Sequence, residues 1–485
     1  MGLGKTGLAT ARALARSGAV AWVWDDTPAR RAGVEAEGIR VVDLSACDWS
    51  GSGVAALVWS PGIAHIHPKP HPIATAARAA GIAPVCDVEL LIRARPEAGF
   101  VGITGTNGKS TTTALIAHIL ERCGRRVAVG GNLGTPVLEF PPLGADGTYV
   151  VELSSYQLEL TPSLAARVAV LLNITPDHLG RHGGMDGYVA AKRRIFASQP
   201  KGATAVIGVD DDLCRTIHRD LVAAGDDGDG RTVVAISAAA PVAGGVWADR
   251  GVLVDDLSRR SRNQKDSYYR PQDSSRAAES PEGGNTGGRA ETILDLATAR
   301  ALPGRHNWQN AAAAYAATRA LGLPPAAIAT AIQSFPGLPH RQELVAEVAG
   351  VRYVNDSKAT NADAAEKAMS CYDAIYWIAG GQAKEGGIVP LAPLFPRVRH
   401  AFLIGEAAPA FGQTLEGRVP VTQCGTLAVA VEKAAALATR EGIAGAVVLL
   451  SPACASWDQF SSFEERGARF RDMVTSLTSG REARP

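Results

Sequence analysis

Several features are absent from this 485-residue sequence, and each absence excludes a class of protein. Lys and Arg number 49 against 48 Asp and Glu, so the net charge of +1 lacks the basic excess of a nucleic-acid-binding protein. No apolar run approaches the roughly 18–20 residues that cross a bilayer, and no basic-then-apolar secretory segment opens the sequence. We therefore expect a soluble protein that neither binds nucleic acid nor inserts into a membrane, while a local basic pocket for a small anion stays compatible with the charge.

Closely paired cysteines are also absent. The seven cysteines are scattered at positions 47, 86, 123, 214, 371, 424 and 454, and no CxxC spacing occurs. This distribution predicts reduced, buried thiols in a cytoplasm rather than disulfides or a zinc cluster. His65, His67 and His71 resemble a metal cluster, but the prolines and glycines around them favour a polar loop.

Apolar strand-like runs, such as Ala19–Trp24 and Val54–Trp59, alternate with alanine-rich amphipathic runs along most of the chain. This alternation predicts parallel α/β sheets. At roughly 100–200 residues per domain, the length predicts about three domains in series. Linker-like segments place the boundaries near residues 96 and 337, which gives domains of residues 1–96, 97–337 and 338–485.

Residues 258–289 interrupt this pattern. The stretch contains no Ile, Val, Leu, Met, Phe or Trp, and its balanced charges are mixed with Ser, Gly, Pro and Gln. Such a segment buries too little apolar surface to offset the entropy lost on ordering. We predict a disordered surface insertion within the central domain.

The most informative segment is the glycine-rich loop Gly102-Ile-Thr-Gly-Thr-Asn-Gly-Lys-Ser-Thr111, which follows an apolar run and precedes a predicted helix. Glycines let backbone N–H groups converge on phosphate oxygens, and the helix N-terminus adds a favourable dipole. Lys109 can neutralise the β- and γ-phosphates of a nucleotide, and the adjacent Ser110 can ligate Mg²⁺. The strict spacing G-x-x-x-x-G-K-S is not met because position 103 is Ile, so a turn that binds nothing stays the alternative.

A second glycine motif, Gly2-Leu-Gly-Lys-Thr-Gly7, has the spacing G-x-G-x-x-G. Asp25 and Asp26 follow about 20 residues later, where a dinucleotide-binding fold carries the acidic residue that contacts ribose. That fold also needs a strand before its first glycine, and here only Met1 precedes it. A nucleotide-phosphate site and plain helix–strand packing are both compatible with the motif. We expect either a true start upstream of Met1 or an incomplete first sheet.

Several separated motifs, taken together, resemble those of the Mur ligase family. In order, they are GITGTNGKST (102–111), GNLG (131–134), VELSSYQLE (151–159), NITPDH (173–178), YVAAKRRIF (188–196), GRHNWQN (304–310), GLPHR (337–341), VNDSKATN (354–361), GGQAK (380–384) and LSPACASWDQFSSFEERG (450–467). The loop is shared by all Mur ligases and by folylpolyglutamate synthases. By contrast, SSYQLE, NDSKATN and SPACASWDQF resemble the branch of the family that adds D-glutamate.

The resemblance implies an α/β fold of three domains: a Rossmann-like N-terminal domain for a UDP substrate, a P-loop ATPase-like central domain and a Rossmann-like C-terminal domain for an amino acid. The implied substrates are UDP-N-acetylmuramoyl-L-alanine, D-glutamate and ATP. Phosphorylation would convert the poor acyl donor, a carboxylate, into an acyl phosphate, which the amine attacks through a tetrahedral intermediate. We expect a bacterial cytoplasmic enzyme that acts as a monomer in peptidoglycan precursor synthesis.

For the metal ions, the resemblance implies two Mg²⁺, or Mn²⁺ in their place. Ser110 and Glu152 would hold the first ion, and His178 the second, between the γ-phosphate and the substrate carboxylate. Lys192 matches a lysine that is carbamylated in this family. The alternatives are a solvated strand-terminal Glu152, a structural His178 and, for Lys192-Arg193-Arg194, a basic helix face in solvent.

For ATP, the loop residues Gly105, Thr106, Asn107, Gly108, Lys109, Ser110 and Thr111 match the phosphate positions of the family. Asn307 and Asn310 match positions near the adenine, although they could instead cap the following helix. Arg341 and Asp356 match positions near the γ-phosphate and ribose, with Lys358 assisting. Since Arg341 follows a domain boundary, it would reach phosphate only on closure.

For the other substrates, Thr360 and Lys384 match positions that contact the α-carboxylate of D-glutamate, and Ser456 with the backbone of Phe463 those that contact its side-chain carboxylate. Lys358 and Lys384 could instead be ordinary surface lysines. Cys454 lacks an activating base and is interpreted as buried packing. The positions that match or adjoin those contacting the UDP-sugar are Lys5, Thr6, Asp25, Asp26, Ser60 and Asn132.

Two other classes of function are compatible with parts of the sequence. An NAD-dependent oxidoreductase would use the first glycine motif but leaves the GTNGKS loop and His178 unexplained. A nucleotide-dependent switch without enzymatic turnover would use only the phosphate loop. Folylpolyglutamate synthase is a neighbouring alternative that takes folate as the acceptor.

Overall fold

The computed structural model describes residues 1–132, 134–225, 230–261, 290–384 and 386–482. The chain divides into two compact units, one formed by Met1–Thr298 with Trp308–Ser334 and the other by Ala299–Asn307 with Phe335–Pro485. Both units contain sheets with parallel strands and helices, which confirms the α/β class. The domain boundaries near residues 96 and 337 stay predictions.

The first part of the first unit has short strands. Only Val23 of the expected strand Ala19–Trp24 joins a ladder, through an isolated parallel bridge to Val41, so that prediction is wrong. Val23 alone in this run is buried; Trp22 and Trp24 are partly buried against the hydrophobic core, and Arg40 and Arg31 lie over their rings. The elements here are α1 (Lys5–Arg16), α2 (Pro28–Glu35), β1 (Leu57–Val58), α3 (Pro72–Ala79), β2 (Pro84–Val85) and α4 (Asp87–Ala94).

A nine-stranded sheet forms the rest of the first unit. Its strands are β3 (Gly99–Thr104), β4 (Arg126–Gly131), β5 (Gly147–Glu152), β6 (Val168–Leu171), β7 (Thr204–Gly208), β8 (Thr232–Ser237), β9 (Val246–Asp249), β10 (Val252–Asp255) and β11 (Glu291–Asp295). Their order is β11-β10-β9-β8-β7-β6-β3-β5-β4, and only the β9–β10 and β10–β11 pairs are antiparallel. The central strands are apolar and buried on both faces, as parallel strands covered by helices require.

The register of this sheet brings two predicted site segments to one edge. Ile103 of β3 pairs with Glu152, the last residue of the neighbouring parallel strand β5. The loop after β3 and the carboxylate after β5 therefore leave the sheet side by side, at the carboxyl ends where α/β folds bind ligands.

The helices of the first unit cover this sheet. They are α5 (Lys109–Arg122), α6 (Ser155–Glu159), α7 (Leu179–His182), α8 (Met185–Arg193), α9 (Asp212–Ala224), α10 (Arg305–Ala320, in this unit from Trp308 onward) and α11 (Pro325–Gln333). The predicted insertion lies outside the described residues from 262 onward. Its first residues, 258–261, belong to a short 3-10 helix, Leu257–Ser261.

The second unit has a six-stranded sheet and a two-stranded one. The larger sheet has the order β12-β13-β18-β14-β16-β17 and is parallel except for β12 at its edge. Its core contains the fully buried side chains of Trp377 and Tyr376. The elements are β12 (Glu343–Val348), β13 (Val351–Asn355), α12 (Ala362–Met369), β14 (Ile375–Gly380), β15 (Gln382–Ala383), β16 (Val398–Ile404), α13 (Ala408–Leu415), β17 (Val421–Gly425), α14 (Leu427–Glu441), β18 (Val447–Leu450), β19 (Cys454–Ala455) and α15 (Phe463–Glu482).

Two further expectations concern the chain as a whole. Among the helices described, none is long and apolar enough to cross a bilayer. All seven cysteines are free thiols; Cys86, Cys214 and Cys454 are buried, but the other four are partly exposed, so the expectation of uniformly buried thiols is wrong.

Candidate active site

The glycine loop between β3 and α5 folds around the Lys109 side chain. Gly105 and Gly108 have φ angles of +154° and +84°, conformations that favour glycine, and helix α5 begins at Lys109. Lys109 Nζ donates to the carbonyl oxygens of Gly105 and Thr106, at 2.9 and 2.8 Å. The loop thus keeps a cation at the amino end of a helix, where an anion is favoured.

A second ammonium group reaches the same loop. Lys192 is 1% exposed, and its Nζ donates to the Gly105 carbonyl oxygen at 2.7 Å. Burial, together with the nearby Lys109 cation, lowers the pKa of Lys192 to about 7. The interpretation of residues 192–194 as a solvated basic face is therefore wrong for Lys192, although Arg193 and Arg194 are exposed.

A signal for this burial was present in the sequence. Tyr188, Ala191, Lys192 and Ile195 recur at the helical spacing i, i+3, i+4, i+7, and all four are buried. Lys192 Nζ also lies 4.7 Å from the centroid of the Tyr188 ring. Burial raises the pKa of Tyr188 to about 12, so this phenol stays protonated and can donate a hydrogen bond.

Polar side chains brace the loop. The hydroxyl of Thr106 lies 3.1 Å from that of Tyr188 and accepts a hydrogen bond from the Thr175 amide at 3.0 Å. The Asn107 amide donates to Asn173 Oδ1 at 2.8 Å. Sequence reasoning missed Tyr188 and Asn173, which lie in the quoted motifs but have no chemistry that marks them as ligands.

The Glu152 carboxylate, at the carboxyl end of β5, has a hydrogen bond on one of its two oxygens among the residues described. The side chain is 2% exposed, and Asn132 Nδ2 donates to Glu152 Oε1 at 2.9 Å. Oε2 is buried and accepts no hydrogen bond from the residues described. A buried carboxylate oxygen without a partner is costly unless a cation completes it, and Mg²⁺ prefers oxygen ligands. The donor set of Glu152 and the buried Ser110 hydroxyl, in the first turn of α5, fits such an ion.

His178 is held in an unusual backbone conformation. His178, with a φ of +53°, immediately precedes the one-turn helix α7, and Gly183, with a φ of +72°, immediately follows it. The imidazole is about half exposed, and its Nε2 lies 3.4 Å from Asp177 Oδ2. Non-glycine residues with positive φ are uncommon and cluster at functional sites, so the geometry is compatible with an imidazole presented to a ligand.

The two predicted adenine contacts lie in different settings. Asn310 is buried, and its Oδ1 accepts a hydrogen bond from the Thr112 hydroxyl at 3.2 Å. A Cβ on Gly108 would come within 2.3 Å of the same oxygen, so Asn310 supports the phosphate loop directly. Asn307, in the second unit, donates from Nδ2 to the Pro303 carbonyl oxygen at 2.8 Å within the first turn of α10.

The residues expected near the UDP-sugar are used largely for local structure. Asp25 is buried and accepts hydrogen bonds from the amides of Leu3 and Thr27, at 2.7 and 2.8 Å. Although burial opposes the effect, these bonds hold the pKa of Asp25 below its usual range. Asp25 thus fixes the first glycine loop rather than facing solvent.

The other residues of this group stay accessible or adjoin the loops. The contacts are Lys5 Nζ to the Gly134 carbonyl oxygen at 2.8 Å, Asp26 Oδ2 to His71 Nε2 at 3.0 Å, the Ser60 amide to the Met1 carbonyl oxygen at 3.0 Å, and the Thr6 carbonyl oxygen to the Thr10 hydroxyl at 2.9 Å. Lys5 therefore brings the first glycine motif to the GNLG segment.

In the second unit, Asp356 anchors the segment that follows β13. It is buried, and accepts hydrogen bonds from the Ser451 hydroxyl at 2.8 Å and the Gln342 amide at 3.2 Å. Burial raises its pKa to about 7, although these bonds and the nearby Arg341 charge partly oppose the shift. The Lys358 ammonium lies 3.7 Å from the centroid of the Phe463 ring, so Lys358 is not an ordinary surface lysine.

Two of the predicted D-glutamate contacts, Lys384 and Ser456, adjoin the small β15–β19 sheet of the second unit. Ala383 pairs with Cys454, so Lys384 and Ser456 adjoin opposite ends of the paired segments. Lys384 is exposed and Ser456 is buried. The Thr360 amide donates to the Lys358 carbonyl oxygen at 2.8 Å, and the Phe463 carbonyl oxygen accepts from the Ser357 hydroxyl at 2.8 Å.

Arg466 organises this region and was missed from the sequence. Its guanidinium is fully buried and donates to the Ser357 hydroxyl at 2.9 Å, and to the carbonyl oxygens of Ser357 and Cys454 at 2.8 and 3.0 Å. Burial lowers its pKa to about 10. Cys454 itself is fully buried, as predicted. Nothing in the local run FEERG distinguishes Arg466 from a helix-surface arginine.

Comparison with known proteins identifies close relatives over the whole sequence. Residues 103–227 match the Mur ligase middle domain family. The UDP-N-acetylmuramoylalanine–D-glutamate ligase of Rhodospirillum rubrum is 56% identical over 486 residues, which cover 100% of this chain and 95% of that protein.

Solved structures support the fold. The UDP-N-acetylmuramate–alanine ligase MurC from Thermotoga maritima has a TM-score of 0.54 at 16% identity, over 98% of each chain. The MurF ligase from Thermotoga maritima in complex with ADP has a TM-score of 0.51 at 18% identity, over 91% of this chain and 100% of that one. At these identities the likeness shows the fold alone.

Proposed function

Because the chain belongs to the Mur ligase family, a family of ATP-dependent ligases that form peptide bonds, we propose that it joins D-glutamate to UDP-N-acetylmuramoyl-L-alanine. The resemblance predicted from the motifs is confirmed by the full-length relative that carries this activity in its name. The products are UDP-N-acetylmuramoyl-L-alanyl-D-glutamate, ADP and phosphate, and the reaction belongs to peptidoglycan precursor synthesis in the bacterial cytoplasm.

One observation carries the mechanism: the side chains of Lys109, the cation of the phosphate loop, and of Lys192, the lysine expected to be carbamylated, converge on the Gly105 carbonyl oxygen at the amino end of α5. A nucleotide phosphate and a substrate carboxylate repel each other, so their reaction needs concentrated positive charge and fixed geometry. Lys109 and the loop amides would hold the β- and γ-phosphates. Holding both reactants in line supplies on the order of 7–11 kcal/mol of the barrier.

The chemistry proceeds in two steps. A carboxylate oxygen of UDP-N-acetylmuramoyl-L-alanine attacks the γ-phosphorus, and ADP leaves with the bond electrons, giving an acyl phosphate. The free amine of D-glutamate then attacks the acyl carbon, the tetrahedral intermediate collapses, and phosphate leaves as the amine loses a proton. The chain's task is to exclude water while this reactive anhydride exists.

For the metal ions, Ser110 and Glu152 would hold one Mg²⁺ or Mn²⁺, and His178 with a carbamylated Lys192 the other. When bound, these ions neutralise charge on the phosphate and carboxylate oxygens. The unpartnered Oε2 of Glu152 supports the first of these assignments.

Two properties of Lys192 support its carbamylation. The amine attacks CO₂ only when neutral, and the pKa of about 7 leaves a substantial neutral fraction near physiological pH. The ammonium first loses one proton to give the neutral amine, and forming the N–C bond with CO₂ releases a second proton. A buried cation thus becomes an anion, which removes the repulsion from Lys109. In Lys192→Ala, short carboxylates should restore activity, and intact mass of the native protein should show an added CO₂. Failure of both would refute the modification.

The remaining predicted contacts are proposed for the nucleotide and the amino acid. Asn307, Arg341, Asp356 and Lys358 would serve ATP, while Thr360, Lys384, Ser456 and the backbone of Phe463 would bind the two carboxylates of D-glutamate. Their support is the resemblance of the motifs, together with the Lys358–Phe463 contact and the pairing of β15 with β19.

One assay tests the proposed function. Phosphate release is measured with the UDP substrate, ATP and Mg²⁺ while the amino acid is varied. We expect release that needs D-glutamate and is not supported by L-glutamate or diaminopimelate. Release that is indifferent to the UDP substrate and D-glutamate would instead favour a nucleotide switch, and use of folate as the acceptor would favour folylpolyglutamate synthase. Stabilisation by NADH would favour an oxidoreductase.

A further inference from the structure

A buried cluster outside the predicted site centres on Glu159, the last residue of α6. Its carboxylate bridges two histidines: Oε1 lies 2.9 Å from His182 Nδ1, and Oε2 lies 3.0 Å from His65 Nε2. Both imidazoles are buried. Burial alone would raise the pKa of Glu159, but the hydrogen bonds from the two histidines outweigh it and lower the pKa to about 2. The Glu159 carboxylate thus joins His65 and His182, which lie 94 and 23 positions away from it in the chain.

The hydrogen-bond partners determine the tautomer of His65. Its Nδ1 lies 2.7 Å from Arg78 Nη2, and Arg78 Nη1 also donates to the His65 carbonyl oxygen. Because a guanidinium only donates, His65 Nδ1 must accept, and Nε2 therefore carries the proton given to Glu159. His65 has no freedom to reverse this bond.

His182 retains that freedom. Its Nδ1 faces Glu159, and its Nε2 lies 2.9 Å from the Ser155 hydroxyl, which can either donate or accept. A neutral His182 can therefore carry its proton on either nitrogen and keep both hydrogen bonds.

An aromatic stack connects His182 to His178. The Tyr156 ring centroid lies 5.3 Å from that of His182 and 5.1 Å from that of His178, with Arg181 packed 5.0 Å over the same ring. Residues 178–184, which we call the His178 turn, are therefore supported from beneath by Tyr156.

The His178 turn is also fastened to the loop that contains His65. Arg181 donates to the carbonyl oxygens of Ile63 at 2.9 Å and His67 at 3.2 Å. A Cβ on Gly183 would lie 3.1 Å from His67 Nε2, so the backbone of the turn lies close against the His67 imidazole. Residues 61–67 follow Ser60, one of the residues predicted near the UDP-sugar.

We propose that Glu159 is a positioning residue, which holds the His178 turn against residues 61–67 through His182 and His65 and so fixes His178 for the ligation. The inference rests on the proposed function, because it assigns His178 a place in that reaction. Groups that orient a ligand side chain from behind typically contribute about 10–100-fold in activity or affinity. The geometry assigns that role here to a carboxylate with two imidazole partners.

The first test compares Glu159→Ala with Glu159→Gln. The alanine removes both bonds, and we expect kcat to fall by about 10–100-fold. The glutamine oxygen can accept the hydrogen bond from His65 Nε2, and its amide group can donate to His182 Nδ1. The His182 proton then lies on Nε2, which donates to the Ser155 hydroxyl. We therefore expect Glu159→Gln to stay within about threefold of the wild-type kcat, because the orientation is kept while the charge is lost.

The second readout is local. Hydrogen exchange of residues 178–184 should accelerate at least about tenfold in Glu159→Ala, whereas residues 105–111 of the phosphate loop keep their protection. The KM for ATP should change by less than about twofold, since the nucleotide loop is not touched. A general structural role would instead change the exchange of both segments together.

Glu89→Gln is the matched control. Glu89 is a fully buried carboxylate of the first unit, whereas Glu159 is partly buried, and Glu89 receives hydrogen bonds from Arg93 at 2.8 Å and the Ser163 amide at 3.0 Å instead of from the His178 turn. We expect this variant to lose thermal stability and keep kcat. The inference is overturned if Glu159→Gln is as inactive as Glu159→Ala, or if Glu159→Ala keeps its kcat or its exchange protection. A wild-type protein without D-glutamate-dependent phosphate release would refute the proposed function itself, while the exchange data would still show whether Glu159 holds the turn.

Discussion

The phosphate-loop region of the first unit and the Arg466 region of the second unit differ in how completely their buried charged groups are hydrogen-bonded. Around the loop, two lysines share one carbonyl oxygen, and Glu152 Oε2 accepts no hydrogen bond from the described residues. Around Arg466, the buried guanidinium and the Asp356 carboxylate have several partners each. Incomplete polar contacts mark a region that needs a ligand, and complete ones a region that holds its own loops.

The largest effect that tests this comparison comes from Lys109→Ala. Removing a preorganised charge that faces a transition state costs about 100- to 1,000-fold in turnover. We expect D-glutamate-dependent phosphate release to fall by that much with little change in thermal midpoint, because the Lys109 ammonium donates to two carbonyl oxygens of its own short loop instead of joining distant elements through these bonds. Lys201→Ala, at an exposed lysine of the same unit, is the control. Full turnover in Lys109→Ala would refute the phosphate-loop assignment.

Glu152→Gln separates activity from stability. The glutamine can still accept from Asn132, and it removes a buried negative charge whose Oε2 accepts no hydrogen bond from the described residues. We expect turnover to fall about 100-fold while the thermal midpoint without metal stays the same or rises. The midpoint and its increase on adding Mg²⁺ are measured for the variant and for Glu121→Gln, at an exposed carboxylate. A clear loss of stability in the metal-free variant would contradict the idea of an incomplete site.

Arg466→Met should have the opposite profile. It leaves the carbonyl oxygens of Ser357 and Cys454 without their donor, and each such buried group costs about 1–3 kcal/mol. We expect a loss of about 2 kcal/mol or more in the free energy of unfolding, seen as a lower thermal midpoint. Arg469→Met, at an exposed arginine of the same helix, should change it little. An unchanged midpoint would mean that the region does not depend on this guanidinium.

The smallest effect concerns pH. Because the pKa of Asp356 is raised from 3.8 to about 7, the folded protein binds a proton more tightly than the unfolded chain. The stability that this carboxyl contributes is complete below pH 3.8 and is lost as the pH rises to about 7. Asp356→Asn lacks this dependence. The thermal midpoint of the variant minus that of the wild type should therefore be larger at pH 8 than at pH 5. Asp472→Asn, at an exposed aspartate of the second unit, should show no such difference, and an equal offset at both pH values would contradict the prediction.

Local patterns were sufficient to predict part of the molecule. An apolar run and glycines at turn positions, contiguous in the chain, predict a strand at Phe100–Thr104 and a helix from about Ser110 to Arg122. The structure has these elements at Gly99–Thr104 and Lys109–Arg122. The α/β class follows from the same alternation. The expected strand at Ala19–Trp24 fails because only Val23 pairs, through an isolated bridge, although Trp22 and Trp24 pack partly against the core; an apolar pattern indicates packing but not whether a neighbouring strand pairs along the run.

Long-range contacts could not be predicted in this way. The helical spacing of Lys192 with Tyr188 and Ile195 indicates that it is buried, but not that its ammonium group donates to the Gly105 carbonyl oxygen. Arg466 and Glu159 are charged residues in ordinary helical runs, and their partners lie up to 109 and 94 positions away. The chemistry of these groups depends on desolvation and on which side chains meet, and neither is encoded by local spacing.

The contact between Gly108 and Asn310 has a consequence for how the chain can be divided. The residue that supports the phosphate loop is supplied by a helix on the far side of residues 262–289 in the sequence, and only a glycine at 108 leaves room for it. A fragment that ends before residue 290 would carry every residue of the nucleotide motif and still lack this support. If the chain is expressed as two fragments, the one that carries the loop should therefore bind ATP only when the other fragment supplies Asn310. ATP binding would then show whether the two fragments have reassembled.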